Sequence, residues 1–365
     1  MAWLDKLFHQ MLEAGASDLH LSAKVKPMFR VSGEMVTVEG YDETTPEKIE
    51  EYLKEITPQM NWDEVHEKWD TDFAYALQGT GRFRVNLFKD HKGMGTVCRL
   101  VPDKIHTTDA LGLPRSILNF CYLTKGLVVV TGPTGSGKST TLAAMIDHIN
   151  RNRTSHIITI EDPIEFVHPN IKCLINQREV RRHTQSFKNA LRAGLREDPD
   201  IVLVGEMRDL ETVEIALETA ETGHLVFATL HTSTAPSTVD RIIDQFPGNR
   251  QAQIRTMLAV SLKGVIAQTL CKKKTSGRVA ALEILVSNFA IGANIRDGKT
   301  HQIASAMQVG LKQGMKLLND SLLEHIKADL ITPTEAYMKC VDKSDMIRKL
   351  ESVGIHFDVS SVVEG

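Results

Sequence analysis

The chain has 365 residues, 42% of them hydrophobic and 24% charged, with a formal net charge of −3. That length holds two or three domains with cores of their own, and the near-neutral balance argues against nucleic acid as the main partner. No apolar run approaches the ~18 residues of a membrane span. The five cysteines (Cys98, Cys121, Cys173, Cys271, Cys340) form no C-x-x-C pair, which speaks against a zinc or disulfide framework and suits a reducing cytoplasm.

The opening "MAWLDKLFHQMLEAG" mixes charges into its apolar residues, so it reads as a surface helix and not as a secretory signal, with Trp3, Leu4, Leu7, Phe8 and Met11 on one stripe. Residues 17 to 38 alternate in short strand-like steps, with Ser32-Gly33 where a hairpin turn would fall. Residues 46 to 69 read as helical and "RFRVNLF" (82 to 88) as a strand, turning at "KDHKG". The first hundred residues therefore predict a small α+β domain, residues 1–102. A turn-rich linker follows, taken as 103–115.

From residue 126 the pattern changes. The continuous apolar strands "GLVVVTG", "HIITIED", "DIVLVGE" and "GHLVFATLH" alternate with helical stretches. This is the signature of an α/β core with a mostly parallel sheet covered on both faces, assigned to 116–287. Beyond 288 only helical pattern remains, predicting a C-terminal helical region over 288–365.

"GPTGSGKST", Gly132 to Thr140, satisfies G-x-x-x-x-G-K-[ST], preceded by the strand "LVVVT" and followed by a helical stretch. Glycines let backbone N–H groups wrap a polyphosphate, and the helix N-terminus adds positive potential. The expected nucleotide-binding residues are Gly132, Pro133, Thr134, Gly135, Ser136, Gly137, Lys138, Ser139 and Thr140. Lys138 would reach the β- and γ-phosphates, and Ser139 would place its hydroxyl on Mg2+. ATP and Mg2+ are the expected cofactors.

Glu206, at the end of the strand "IVLV", needs a positive partner. In P-loop proteins an acidic residue at the end of a second strand faces Mg2+, directly or through water, which is the expectation for Glu206. "IEDPIEF" adds Glu161, Asp162 and Glu165. Hydrolysis needs a carboxylate to orient and deprotonate water, and these residues alone do not choose among the three. The strand "LVFATL" is bracketed by His224 and His231; a histidine at such a strand end can bond to the γ-phosphate.

Together "GASDLHLS", "GRFRVN", "GPTGSGKSTTLAAMID", "HIITIEDPIEFVH", "NQREV", "AGLREDPDIVLVGEMRD" and "AETGHLVFATLHT" resemble the secretion ATPase superfamily, most closely the PilT-type ATPases that retract type IV pili. The resemblance covers about residues 12 to 345. It implies a RecA-like P-loop core, a PAS-like N-terminal domain and a C-terminal helical bundle. It makes Glu165 the catalytic base, Glu206 the acid near Mg2+, and His224 and His231 the "His box", with His231 nearest the γ-phosphate. It makes Arg82, Arg84 and Arg99 candidate arginine fingers. It further implies a cytoplasmic homo-hexamer docked on an inner-membrane pilus platform protein, and the near-neutral charge leads to the expectation of no DNA partner.

Departures are visible. Gly194 stands where a serine is common, Lys92 where the family often has an arginine, and "AIGANIRDGK" carries Gly292 in place of an arginine while Arg296 is retained. Competing expectations are an accessory retraction motor, a pilus-assembly or type II secretion ATPase, and a RecA-like ATPase acting on DNA. The four-cysteine zinc insert of the assembly class is missing from this sequence.

Overall fold

The computed structural model describes residues 2–31, 33–101 and 104–359. It divides into two compact units. Met1–Lys104 with the excursion Pro163–Val167 form the first, and Ile105–Asp162 with His168–Gly365 the second.

The first unit runs α1 (Trp3–Glu13), β1 (Asp18–Ser22), β2 (Met28–Val31), β3 (Glu34–Thr37), α2 (Pro46–Ile56), α3 (Gln59–Lys68), β4 (Asp70–Leu77), β5 (Gly81–Asp90) and β6 (Gly93–Val101). Its strands form a six-stranded sheet in the order β3-β2-β1-β6-β5-β4, antiparallel throughout. Ser32, half of the predicted turn between β2 and β3, lies outside the described residues, as do Pro102 and Asp103 at the predicted start of the linker.

The apolar stripe predicted for the N-terminus is largely what α1 buries: Leu4, Leu7, Phe8 and Met11. Trp3 stays half-exposed and stacks on Tyr52, ring centroids 4.0 Å apart. The single helical stretch read over 46 to 69 is two helices. Thr57 turns extended (ψ 123°) before Pro58, because the proline ring crowds an α-helical residue in front of it. On β5, alternation sends Phe83, Val85 and Leu87 into the core, where Phe83 stacks on Phe8 at 4.0 Å. Arg82 and Arg84 share the opposite face.

The second unit continues with α4 (Arg115–Phe120), β7 (Gly126–Thr131), α5 (Lys138–Asn152), β8 (His156–Glu161), β9 (Leu174–Glu179), α6 (Phe187–Gly194), β10 (Ile201–Val204), α7 (Leu210–Glu221), β11 (Leu225–Leu230), α8 (Ala235–Asp244), α9 (Gly248–Ser261), β12 (Leu262–Lys272) and β13 (Arg278–Val286). After β13 the elements among the described residues are helices: α10 (Phe289–Arg296), α11 (Ile303–Val309), α12 (Leu318–Lys327), α13 (Pro333–Lys339) and α14 (Lys343–Ser352), with short 3-10 turns between the first of them.

Seven strands form one sheet in the order β13-β12-β7-β11-β10-β8-β9. Every pairing is parallel except β12 with β13, so the expected mostly parallel sheet is present. β7 shows why its sequence is an unbroken apolar run. Leu127 and Val129 point into one buried cluster, and Val128 and Val130 into the cluster on the other face. No helix among the described residues is long and apolar enough to cross a membrane.

Candidate active site

The phosphate loop joins the C-terminal end of β7 to α5. Its glycines are required by conformation and by space. Gly132, Gly135 and Gly137 have φ of +144°, +77° and +89°, where L side chains are strained. A Cβ on Gly132 would lie 2.2 Å from the Gln268 carbonyl oxygen, and one on Gly137 2.8 Å from Gln268 Nε2. α5 starts at Lys138, directly after Gly137, so its first N–H groups have no partners within the helix. The Ser136 hydroxyl is buried with no hydrogen-bond partner. Such a cradle, with free N–H donors and an ammonium at a helix N-terminus, fits a polyphosphate.

Lys138 Nζ donates to the carbonyl oxygens of Gly132 (2.7 Å) and Pro133 (3.2 Å). It also lies 3.5 Å from Nδ1 of His231, at the C-terminal end of the adjacent strand β11. His231 Nε2 in turn sits 3.1 Å from Glu206 Oε1. Glu206 follows β10, on the far side of β11, and its other oxygen meets Arg208 Nη2 at 2.8 Å. Lys138, His231, Glu206 and Arg208 therefore form one row across the ends of three parallel strands. Burial works against the Glu206 charge, but Arg208 and His231 outweigh it and hold the carboxyl below its ordinary value. Arg208 also feels Asp162, at the end of β8.

In this row the partners of Glu206 are the Arg208 guanidinium and the His231 ring, where the sequence pointed to a metal. The two roles are compatible in chemistry. Mg2+ is bound by one or two protein oxygens together with phosphate and water, and the Ser139 hydroxyl and Glu206 carboxylate are of that kind.

His224 is not part of the row. It precedes β11 while His231 follows it, and six strand residues at ~3.3 Å each put the two imidazoles at opposite edges of the sheet. His224 Nδ1 lies 3.2 Å from the Thr219 carbonyl oxygen at the end of α7. Of the two His-box residues that the family resemblance implies, the structure places only His231 beside Lys138 and Glu206.

Glu165 is exposed and lies on the Pro163–Val167 excursion of the first unit, between the buried Ile164 and Phe166. Arg82, Arg84 and Arg99 belong to that unit too. Arg84 and Arg99 are directly opposite on β5 and β6. Arg84 Nε lies 3.6 Å from Asp72 and Arg99 Nε 2.7 Å from the buried Asp18. Burial opposes the Asp18 charge, while Ser17 and Arg99 lower its carboxyl below the usual range. Glu161 accepts from Thr159 Oγ1 (2.7 Å) and Gln177 Nε2 (3.2 Å) on its own sheet.

Gln268 on β12 was not foreseen. Buried to 5% exposure, it donates from Nε2 to the Ser136 carbonyl (2.7 Å) and accepts from Thr141 Oγ1 (2.7 Å), fastening the loop to the sheet and to the first turn of α5. Arg208 was missed as well, although it stands two residues from Glu206. Gly292 lies on the buried side of α10, where a Cβ would come within 3.2 Å of the Ala259 carbonyl oxygen of α9. Close helix packing accounts for glycine at this position. Arg296 is exposed.

Residues 1–280 match the family described as Type II/IV secretion system protein. The chain belongs to this family. It is 49% identical over 325 residues to the type IV pilus retraction ATPase PilT of Pseudomonas aeruginosa, covering 89% of this chain and 94% of that protein. A twitching motility protein of Neisseria gonorrhoeae is 45% identical over 321 residues, covering 88% and 86%. Among solved structures, the pilus retraction motor PilT with bound ADP superposes with a TM-score of 0.89 at 44% identity, covering 95% of this chain and 99% of that one. The family and these relatives make the chain an ATPase.

Proposed function

We propose that the chain is an ATP-hydrolysing motor that powers type IV pilus retraction. The observation that carries this reading is the row Lys138–His231–Glu206 at a complete phosphate loop, in a chain 49% identical to a retraction ATPase. In this reading the chain works as a homo-hexamer in the cytoplasm against an inner-membrane platform protein, and its strokes release pilin subunits. The N-terminal domain (1–102) moves on the linker (103–115) against the ATPase core (116–287), with the C-terminal helical region (288–365) carried along.

The chemistry assigns each residue a task. Lys138 exchanges the Gly132 and Pro133 carbonyls for phosphate oxygens, a charge-assisted bond in place of neutral ones. Ser139 and Glu206 would hold Mg2+, which would supply positive charge to the phosphate oxygens. Glu165 takes the proton of the attacking water. Arg82, Arg84 and Arg99 supply positive charge as it develops in the transition state. Arg84 and Arg99 must leave Asp72 and Asp18 to do so. For Arg84, whose partner Asp72 is itself exposed, the departure costs about 1 kcal/mol or less; Arg99 leaves the buried Asp18 carboxylate to Ser17, which costs more. His231, between Lys138 and Glu206, registers whether a γ-phosphate is present.

Steady-state turnover and nucleotide binding test this assignment. Glu165→Gln should keep nucleotide affinity and lose about two to four orders of magnitude in kcat; turnover near wild type would move the base to another carboxylate. Lys138→Ala with undiminished turnover would overturn the reading of the site itself.

A further inference from the structure

We infer that Glu283 is a positioning residue that ties the loop carrying His231 to the C-terminal helices. The inference rests on the ATPase reading above. Glu283 lies on β13, 5% exposed, and each of its carboxylate oxygens accepts from the first residue of a different helix. Oε1 takes the Ala235 N–H of α8 at 2.7 Å, and Oε2 takes the Leu318 N–H of α12 at 3.3 Å.

Neither bond duplicates a local cap. Thr234 caps α8 through the N–H of Ser237, leaving that of Ala235 to Glu283. α12 has no side-chain cap of its own, since Leu317 stands at its N-cap. Burial drives the Glu283 carboxyl above its ordinary value, and the two backbone N–H groups partly offset this. A buried carboxylate is costly to keep, and an apolar residue on β13 would pack the same space. What the carboxylate adds is a rigid connection between two helix starts.

One of those starts is next to the catalytic row. Between His231 and Ala235 the chain is pinned at Thr232, whose N–H donates to Thr131 Oγ1 (2.9 Å) and whose hydroxyl pairs with Thr238 Oγ1 (2.7 Å). This short span is therefore taut: His231 cannot shift far without breaking these bonds or moving Ala235, and Glu283 links Ala235 to Leu318. Beside Glu283 a cavity of about 260 Å³, bordered by Thr234, Leu318, Asn319 and Asp342, leaves α12 room to move. Tightly packed elements without such space resist small shifts.

The test compares the full chain with Glu283→Gln, which keeps the shape and one acceptor oxygen. Hydrogen exchange is followed with and without Mg2+ and a non-hydrolysable ATP analogue. In the wild type the analogue should slow exchange over residues 132–140, 232–238 and 318–322; in Glu283→Gln the last segment should no longer respond. kcat should fall about tenfold while nucleotide Kd stays within about twofold. In a His231→Ala background the same substitution should lower kcat by less than about twofold further, because the two residues act as one unit.

Equal responses of 318–322 in both proteins, or kcat effects that multiply, would overturn the tie. Absence of protection at 132–140 in the wild type would overturn the nucleotide reading and the tie with it, a signature confined to a different segment. Should Glu283→Gln unfold, Leu318→Pro removes one donor at a first helical position, where proline fits. It must give the same separation of kcat from Kd.

Discussion

Glu206 and His231 meet across the ends of two neighbouring strands, Oε1 to Nε2 at 3.1 Å. Each follows the C-terminal end of a fully buried parallel strand, β10 and β11, so the sheet, rather than a mobile loop, sets their separation. The arrangement lets one carboxylate face His231 on one side and Arg208 on the other.

Glu206→Gln should therefore lower kcat at least tenfold with nucleotide binding retained, and it carries a pH signature. The Glu206 carboxyl is held below its ordinary value, so its contribution to stability is present above the unfolded value and is lost as pH falls through the folded one. Arg208 and His231 are 63% and 44% exposed, which limits that contribution to about 1 kcal/mol. Thermal unfolding of wild type and variant should differ most at neutral pH and converge only as pH falls below the ordinary carboxylate range. A constant offset would contradict the assignment.

Gln268→Ala should loosen the phosphate loop. Two buried hydrogen bonds, to the Ser136 carbonyl and from Thr141, are lost at about 1 kcal/mol each or more. The expected result is weaker nucleotide binding together with a lower melting temperature, read by titration and calorimetry. Unchanged affinity would mean that the glycine geometry alone holds the loop.

The strands β7, β8, β10 and β11, three of which carry the row, were legible because each is covered on both faces and reads as an unbroken apolar run. β12 and β13 were not, and these hold Gln268 and Glu283. In "LKGVIAQTLCK" and "RVAALEILV" a buried polar residue interrupts the pattern that marked the others, and only the tertiary partners show why it is there. The break between α2 and α3 was signalled by Pro58 and overlooked. That His224 and His231 lie at the two ends of one strand was legible from the sequence, since they bracket its six apolar residues.

His168 gives a test of the second unit at lower pH. It is 9% exposed, its Nδ1 has no partner, and burial lowers its pKa to about 4, with Asp147 opposing only in part. A folded-state value below the unfolded one means that stability is complete above the ordinary 6.5 and falls as pH drops from there toward 4. The loss reaches up to about 3 kcal/mol across that window. His168→Leu should flatten denaturant midpoints between pH 6.5 and 4.5; an unchanged slope would locate the acid sensitivity elsewhere.

The central claim is that this phosphate loop drives retraction. The most direct measurement deletes the gene in its host and counts surface pili and twitching, with wild-type or Lys138→Ala copies restored. The account predicts abundant pili that no longer retract, rescued by the wild-type copy and not by Lys138→Ala. Cells without pili would contradict it and make the chain an assembly ATPase.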